Sequence, residues 1–158
     1  MPRVRAPILS AHPFVVGASI LVESDVLGIF DRYRQNTFDA SEAGGILLGY
    51  RRDAHLHVLE ATRPAEDDRR SRYRFYRASE PHQSIATRRW RASNGRIQYL
   101  GEWHCHPEQH ASPSSLDLSS WGSIYRGAST PMLFVITGIT SDWYGVGYRR
   151  ELRRTYPT

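Results

Sequence analysis

With 158 residues, 40% of them hydrophobic and 23% charged, the chain has the size and balance of one globular domain spanning residues 1–158, large enough for a core of its own but not for two. Its single cysteine excludes a disulfide scaffold and makes a reducing cytoplasm the expected compartment, and no stretch reaches the ~20 apolar residues of a membrane span. The formal net charge of +5 rests on 21 cations, all of them arginine, scattered along the chain rather than gathered into a patch, which disfavours nucleic acid as a partner.

An N-terminal arm carrying Pro2, Pro7 and Pro13 leads into the apolar stretch from Phe14 to Val22. Arg3 and Arg5 before it give the outline of a secretory leader, but no small-residue cleavage site follows before Glu23-Ser24-Asp25, so the stretch reads as a strand. The strand around Ser19 to Glu23 leads to Ser24, the expected N-cap of a helix running through Arg34, with Val26, Leu27, Phe30 and Tyr33 at helical spacing on its core face. Gly44 to Arg52 and His55 to Thr62 read as two strands of a hairpin turned at Asp53-Ala54. Glu42 therefore falls at or just before the start of a central strand.

Pro64 to Arg72 is a charged loop, and Arg72 to Arg77 reads as a half-buried strand in which Tyr73, Phe75 and Tyr76 alternate imperfectly with arginine. Asp67 and Asp68 beside it favour a solvated edge over a nucleic-acid surface. A helix from about Glu80 to Ser93 closes on Asn94-Gly95, and Arg88, Arg89 and Arg91 around Trp90 fit an ordinary amphipathic face. Ile97 to Trp103 is the next strand. A helix follows from Ser112 or Ser114 to about Gly127, with Pro113 suited to its first turn, and residues 131–139 and 143–150 read as the last two strands.

Chemistry concentrates in Trp103-His104-Cys105-His106-Pro107. Strand alternation puts His104 and His106 on one face and turns Trp103 and Cys105 into packing. Two imidazoles, a carboxylate returned by the following segment and one open position make the three-ligand arrangement of a catalytic zinc, and Asp117 is the carboxylate to expect. Ser114-x-x-Asp117 also fits a helix capping box. His55-Leu56-His57 repeats the His-x-His spacing without the proline or a following carboxylate, and reads as an ordinary strand pair. Trp121, four residues after Asp117, shares its helical face, where it packs in the core and roofs the site.

The combination of His-x-His-Pro, six residues, then Ser-x-x-Asp, with Glu42 heading the Gly-rich segment Glu42 to Gly49, resembles the signature of the JAMM (MPN-plus) metalloproteases. The wording from Gly101 to Glu108 resembles their prokaryotic JAB branch, over roughly residues 15–150. The resemblance implies a JAMM-type α/β sandwich with a central mixed sheet, related to cytidine deaminases, whose own Pro-Cys-x-x-Cys motif is absent here. It implies Zn2+ held by His104, His106 and Asp117, Glu42 as acid/base and Ser114 as a hydrogen-bond donor beside the metal. Cys105 departs from the Ser or Thr usual in the family, and reads as a small buried core residue.

The implied reaction is hydrolysis of an isopeptide bond at the C-terminus of a ubiquitin-like modifier or conjugated protein. The implied partners are ubiquitin-activating and conjugating-type enzymes, often of anti-phage operons. A peptidase trimming a sulfur-carrier or modifier precursor is the alternative within enzymes. An inactive MPN-type scaffold and a nucleic-acid-binding module are the alternatives of another class. The absence of lysine has two readings, codon bias and an enzyme that offers no acceptor to the conjugation it works beside.

Overall fold

The computed structural model describes residues 4–65, 68–77 and 79–158; the expectations placed on Pro2, Arg3 and Asp67 lie outside them. The described elements run β1 (Ile8–Ala11), β2 (Ser19–Val22), α1 (Ser24–Arg32), β3 (Gly44–Arg52), β4 (His55–Ala61), β5 (Arg69–Ser71), β6 (Arg74–Tyr76), α2 (Ser79–Ala92), β7 (Ile97–Cys105), α3 (Ser115–Tyr125), β8 (Met132–Thr137), β9 (Trp143–Tyr148) and β10 (Glu151–Thr155). Eight strands form one mixed sheet in the order β1-β2-β4-β3-β7-β8-β9-β10, while β5 and β6 pair as a separate hairpin.

The unbroken apolar run of β8 shows why this is an α/β sandwich: all six residues are buried, but on two different faces. Leu133 and Val135 join the core under α1, with Val26, Leu27 and Phe30; Phe134 and Ile136 join a second cluster under α3, with Trp121 and Tyr125. A strand covered by helices on both faces reads as continuous hydrophobicity rather than alternation. β7 pairs antiparallel with β3 and parallel with β8, so His104 and His106 stand at the carboxyl end of the parallel pair. Gly101 lets β7 pass, because its φ of +151° and its approach to the Leu133 carbonyl leave no room for a Cβ.

Several expectations are corrected. The stretch from Phe14 to Val22 is not one strand: residues 13–17 turn, Gly17 takes φ +83°, and the arm before them supplies β1, antiparallel to β2. Val16 is left wholly exposed at the turn. Glu23, not Ser24, is the N-cap of α1, and its side chain goes to His57 instead of the helix. The helix stops at Arg32, and Arg34 beyond its end is drawn into an ion pair with Asp142.

Arg72 to Arg77 is not a single strand either. Arg72 and Tyr73 form the turn of the β5–β6 hairpin, with Tyr73 three-quarters exposed, and this is why the alternation is imperfect. The expected strand over 143–150 ends at Tyr148, where Arg149 takes φ +59° and the chain returns as β10. α3 ends at Tyr125, short of Gly127. Among the described residues no helix is long and apolar enough to cross a membrane.

Candidate metal centre

The end of β7 and the first turn of α3 meet at one point. Nε2 of His104 lies 3.0 Å from Asp117 Oδ1, Nε2 of His106 lies 3.3 Å from Asp117 Oδ2, and the two Nε2 atoms are 3.1 Å apart. Each of the three side chains keeps between 11% and 13% of its exposure. Two imidazole nitrogens and one carboxylate turned on a single point are held together by shared protons in the metal-free protein, and a cation at the centre can take the place of those protons. The spacing fits one: bonds of about 2.0–2.1 Å in a tetrahedral shell set neighbouring donors about 3.3–3.4 Å apart. Among the described residues, this trio is the set of three metal-ligating side chains within reach of one another.

Asp117 does two jobs. Its Oδ2 accepts from the Ser114 amide at 2.8 Å, and its own amide donates to Ser114 Oγ at 3.1 Å, so the capping box that starts α3 also fixes the carboxylate. Burial would raise its pKa, but the hydrogen bonds from His104 and His106 outweigh it and hold the carboxylate well below the usual range. For His106, burial acts to lower the pKa and is likewise outweighed, here by hydrogen bonds to Asp117 and Glu108, which push it up to about 9. A metal held by these residues would take the place of that proton.

Glu42 enters from β3. The backbone beside it is pinned on two sides: the Glu42 amide donates to the Ser71 carbonyl of the β5–β6 hairpin, and the Cys105 amide donates to the Ala43 carbonyl at 2.9 Å. Arg70 Nε donates to the Glu42 carbonyl at 2.9 Å. The side chain is buried, and that desolvation, reinforced by Asp117 and Glu108 and opposed by His106, raises its pKa from 4.5 to about 7. Cys105 points away from the trio into the core, with the Ala43 amide on its sulfur, and burial pushes its thiol up to about 11.

Glu42, Ser114 and the trio line one cleft of about 610 Å3. Its aromatic wall, Tyr73 and Phe75, comes from the β5–β6 hairpin, and Leu116 stands on α3. Trp121 forms part of the floor, 5.9 Å from His104 by ring centroids and stacked at 4.8 Å on Phe134, so one indole serves both core and site. Reasoning from sequence assigned no role to Glu108, which binds the far nitrogen of His106; a carboxylate directly after His-x-His-Pro was the available signal. The alternation around Tyr73 and Phe75 signalled a strand but nothing that tied it to this cleft. His55 and His57 stay apart from the trio: Nδ1 of His55 accepts from the Ser19 amide at 2.9 Å, and Nε2 of His57 lies 2.6 Å from Glu23.

Residues 32–153 match the model of the family described as prokaryotic homologs of the JAB domain. A protein named "CD-NTase/cGAS isopeptidase" from Escherichia coli (strain TW11681) is 35% identical over 137 residues, covering 85% of this chain and 86% of the relative. A protein of the same name from Pseudomonas aeruginosa is 44% identical over 114 residues, covering 71% and 72%. "Probable metalloprotease y4qB" of Sinorhizobium fredii is 29% identical over 119 residues, covering 72% and 73%. The solution structure of protein DSY2949 from Desulfitobacterium hafniense superposes with a TM-score of 0.56 at 17% identity, covering 84% of this chain and 87% of that one, which shows a shared fold.

Proposed function

The chain belongs to the family of prokaryotic homologs of the JAB domain, and on that footing we propose that it is a zinc metallo-isopeptidase that frees a target from the C-terminus of a ubiquitin-like modifier or conjugated protein. The observation that carries this reading is the convergence of His104, His106 and Asp117 on one point, in the same cleft as a buried Glu42. His104, His106 and Asp117 would hold the zinc, a three-residue set of the kind that catalytic rather than structural zinc uses. When bound, zinc supplies an acidified water and a Lewis acid for the scissile carbonyl.

The chain's own residues supply the rest. Glu42 takes a proton from the attacking water and returns it to the departing amine; a pKa raised to about 7 suits it to both steps near neutral pH. Ser114 Oγ accepts from the Asp117 amide, which leaves its O–H free to donate to the carbonyl oxygen as charge develops there. The apolar wall of Tyr73 and Phe75 lets an extended tail lie in the cleft, with main-chain pairing to a strand edge giving register. The relatives' names extend the proposal to a conjugated CD-NTase protein as substrate. Such a pathway needs activating and conjugating-type enzymes beside it, and we place it in anti-phage defence in the cytoplasm, carried out by residues 1–158 as one domain.

The test is to incubate the zinc-loaded protein with a target joined to a modifier through an isopeptide bond. Release of both partners, abolished by a chelator and restored by zinc, is expected. A zinc-loaded protein that leaves conjugates intact but trims a linear precursor would replace this reading with the processing peptidase.

A further inference from the structure

Glu108 sits on the surface loop that leaves β7, yet its carboxylate is engaged. Its Oε1 lies 2.8 Å from Nδ1 of His106, across the ring from the Nε2 that faces Asp117 and His104. A neutral imidazole has one N–H and one lone pair. With Glu108 accepting the hydrogen at Nδ1, the lone pair falls on Nε2 and is aimed at the point where the three donors converge. We propose that Glu108 is a positioning residue that fixes the tautomer and ring orientation of His106 and so sets the metal affinity of the trio. This rests on the reading of His104, His106 and Asp117 as metal ligands.

A glutamate that keeps 45% of its side-chain exposure would ordinarily sample many rotamers, at an entropic cost to any contact it makes. Here its backbone is clamped. The Glu108 carbonyl accepts from the Ile139 amide at 2.7 Å, and the next carbonyl, of Gln109, accepts from Thr140 and Ser141 at 2.8 and 3.0 Å. The clamping turn is itself anchored. Asp142 Oδ1 accepts from the Gly138 amide at 3.1 Å and pairs with Arg34, whose guanidinium also donates to the Gly138 carbonyl at 2.7 Å. The turn closes so tightly that a Cβ at Gly138 would run into the Ser141 carbonyl and the Ala111 amide. An ion pair beyond the end of α1 thereby holds in place the loop whose carboxylate orients His106.

The experiment measures zinc affinity of the full chain by competition with a chromophoric chelator, for wild type, Glu108→Ala and Glu108→Gln. Glu108→Ala should bind zinc about 10–100-fold more weakly, the usual effect of losing such a supporting carboxylate. The metal-free variant should still fold, with a melting temperature lowered only by the loss of one half-exposed contact to His106. Glu108→Gln keeps an acceptor oxygen in the same place and should recover most of the affinity. With Co2+ in the site, the visible absorption of Glu108→Ala should shift, since it reports the geometry of the ligands. At saturating zinc Glu108→Ala should regain most of its turnover. Wild-type affinity and an unchanged cobalt spectrum in Glu108→Ala would overturn the proposal, as would lost turnover at saturating zinc with affinity intact, which would put Glu108 in the chemistry itself. A wild-type chain that takes up no zinc would instead sink the ligand reading, and this inference with it.

Discussion

The thiol of Cys105 accepts a hydrogen bond from the amide of Ala43, with 3.1 Å between sulfur and nitrogen. The Cys105 amide donates back to the Ala43 carbonyl at 2.9 Å, so the backbone directly after Glu42 is tied to the strand end that carries His104 and leads into His106. The residue that departs from the family's Ser or Thr thus keeps the acceptor in place. Cys105→Ser should fold and cleave like wild type. Cys105→Ala strands a buried N–H, at a cost of about 1–3 kcal/mol, and should lower both the melting temperature and turnover. Because the thiol is buried and its pKa is pushed up, native protein should resist alkylation until it unfolds. Rapid labelling of the folded chain would show this packing to be wrong.

Replacing Glu42 separates metal binding from chemistry. Glu42→Gln keeps the shape but cannot shuttle a proton. It should hold zinc as wild type does and lose cleavage of a conjugate by at least about 100-fold, the scale of general acid/base catalysis. Near-wild-type turnover by a zinc-replete Glu42→Gln protein would sink the mechanism.

The same carboxyl makes stability depend on pH in the metal-free protein. Its folded pKa of about 7 lies above its ordinary value of 4.5, so between these limits the folded state holds a proton that the unfolded chain has released. Its contribution is fully present below pH 4.5 and is lost as pH rises through about 7, because the buried carboxylate must then ionise. Chelator-treated Glu42→Gln should therefore melt higher than wild type at pH 8, with the gap closing toward pH 4.5. Denaturation curves at both ends check the sign, and a gap that widens toward acid would contradict it.

Asp117 both caps α3 and faces the histidines, and two substitutions divide these roles. Asp117→Asn retains an oxygen for the Ser114 amide and so keeps the cap; it should lose only the metal-free stability that the charge beside His104 and His106 supplies, less than Asp117→Ala loses, while zinc affinity falls. Asp117→Ala should lose the metal and also about 1 kcal/mol of metal-free stability from the broken cap. Chelator competition and melting of both variants read the two effects, and full zinc retention in Asp117→Ala would remove it from the ligand set.

The absence of lysine leads to a hypothesis of resistance to self-conjugation. With its cognate conjugating enzymes the wild-type chain should acquire no side-chain modifier, whereas Arg88→Lys on the exposed face of α2 should. An unmodified Arg88→Lys protein would leave codon bias as the reason.

Local pattern alone determined the parts of this protein that depend on neighbours along the chain. The period of two placed His104 and His106 on one face and Cys105 on the other. The period of 3.6 put Val26, Leu27 and Phe30 in the core, and the Ser114-x-x-Asp117 spacing marked the start of α3. The His-x-His-Pro run, with Glu42 and its glycines, was enough to point to the family. Tertiary structure decided what depends on partners distant in sequence. β1 and β10 form because open sheet edges beside β2 and β9 offer their backbone groups a ladder, and no residue in either strand announces that edge. The wall of Tyr73 and Phe75 exists because the hairpin docks on the Glu42 backbone. Glu108 becomes a partner of His106 because a turn some thirty residues downstream holds its loop, a closure that only the parallel pairing of β7 with β8 brings about.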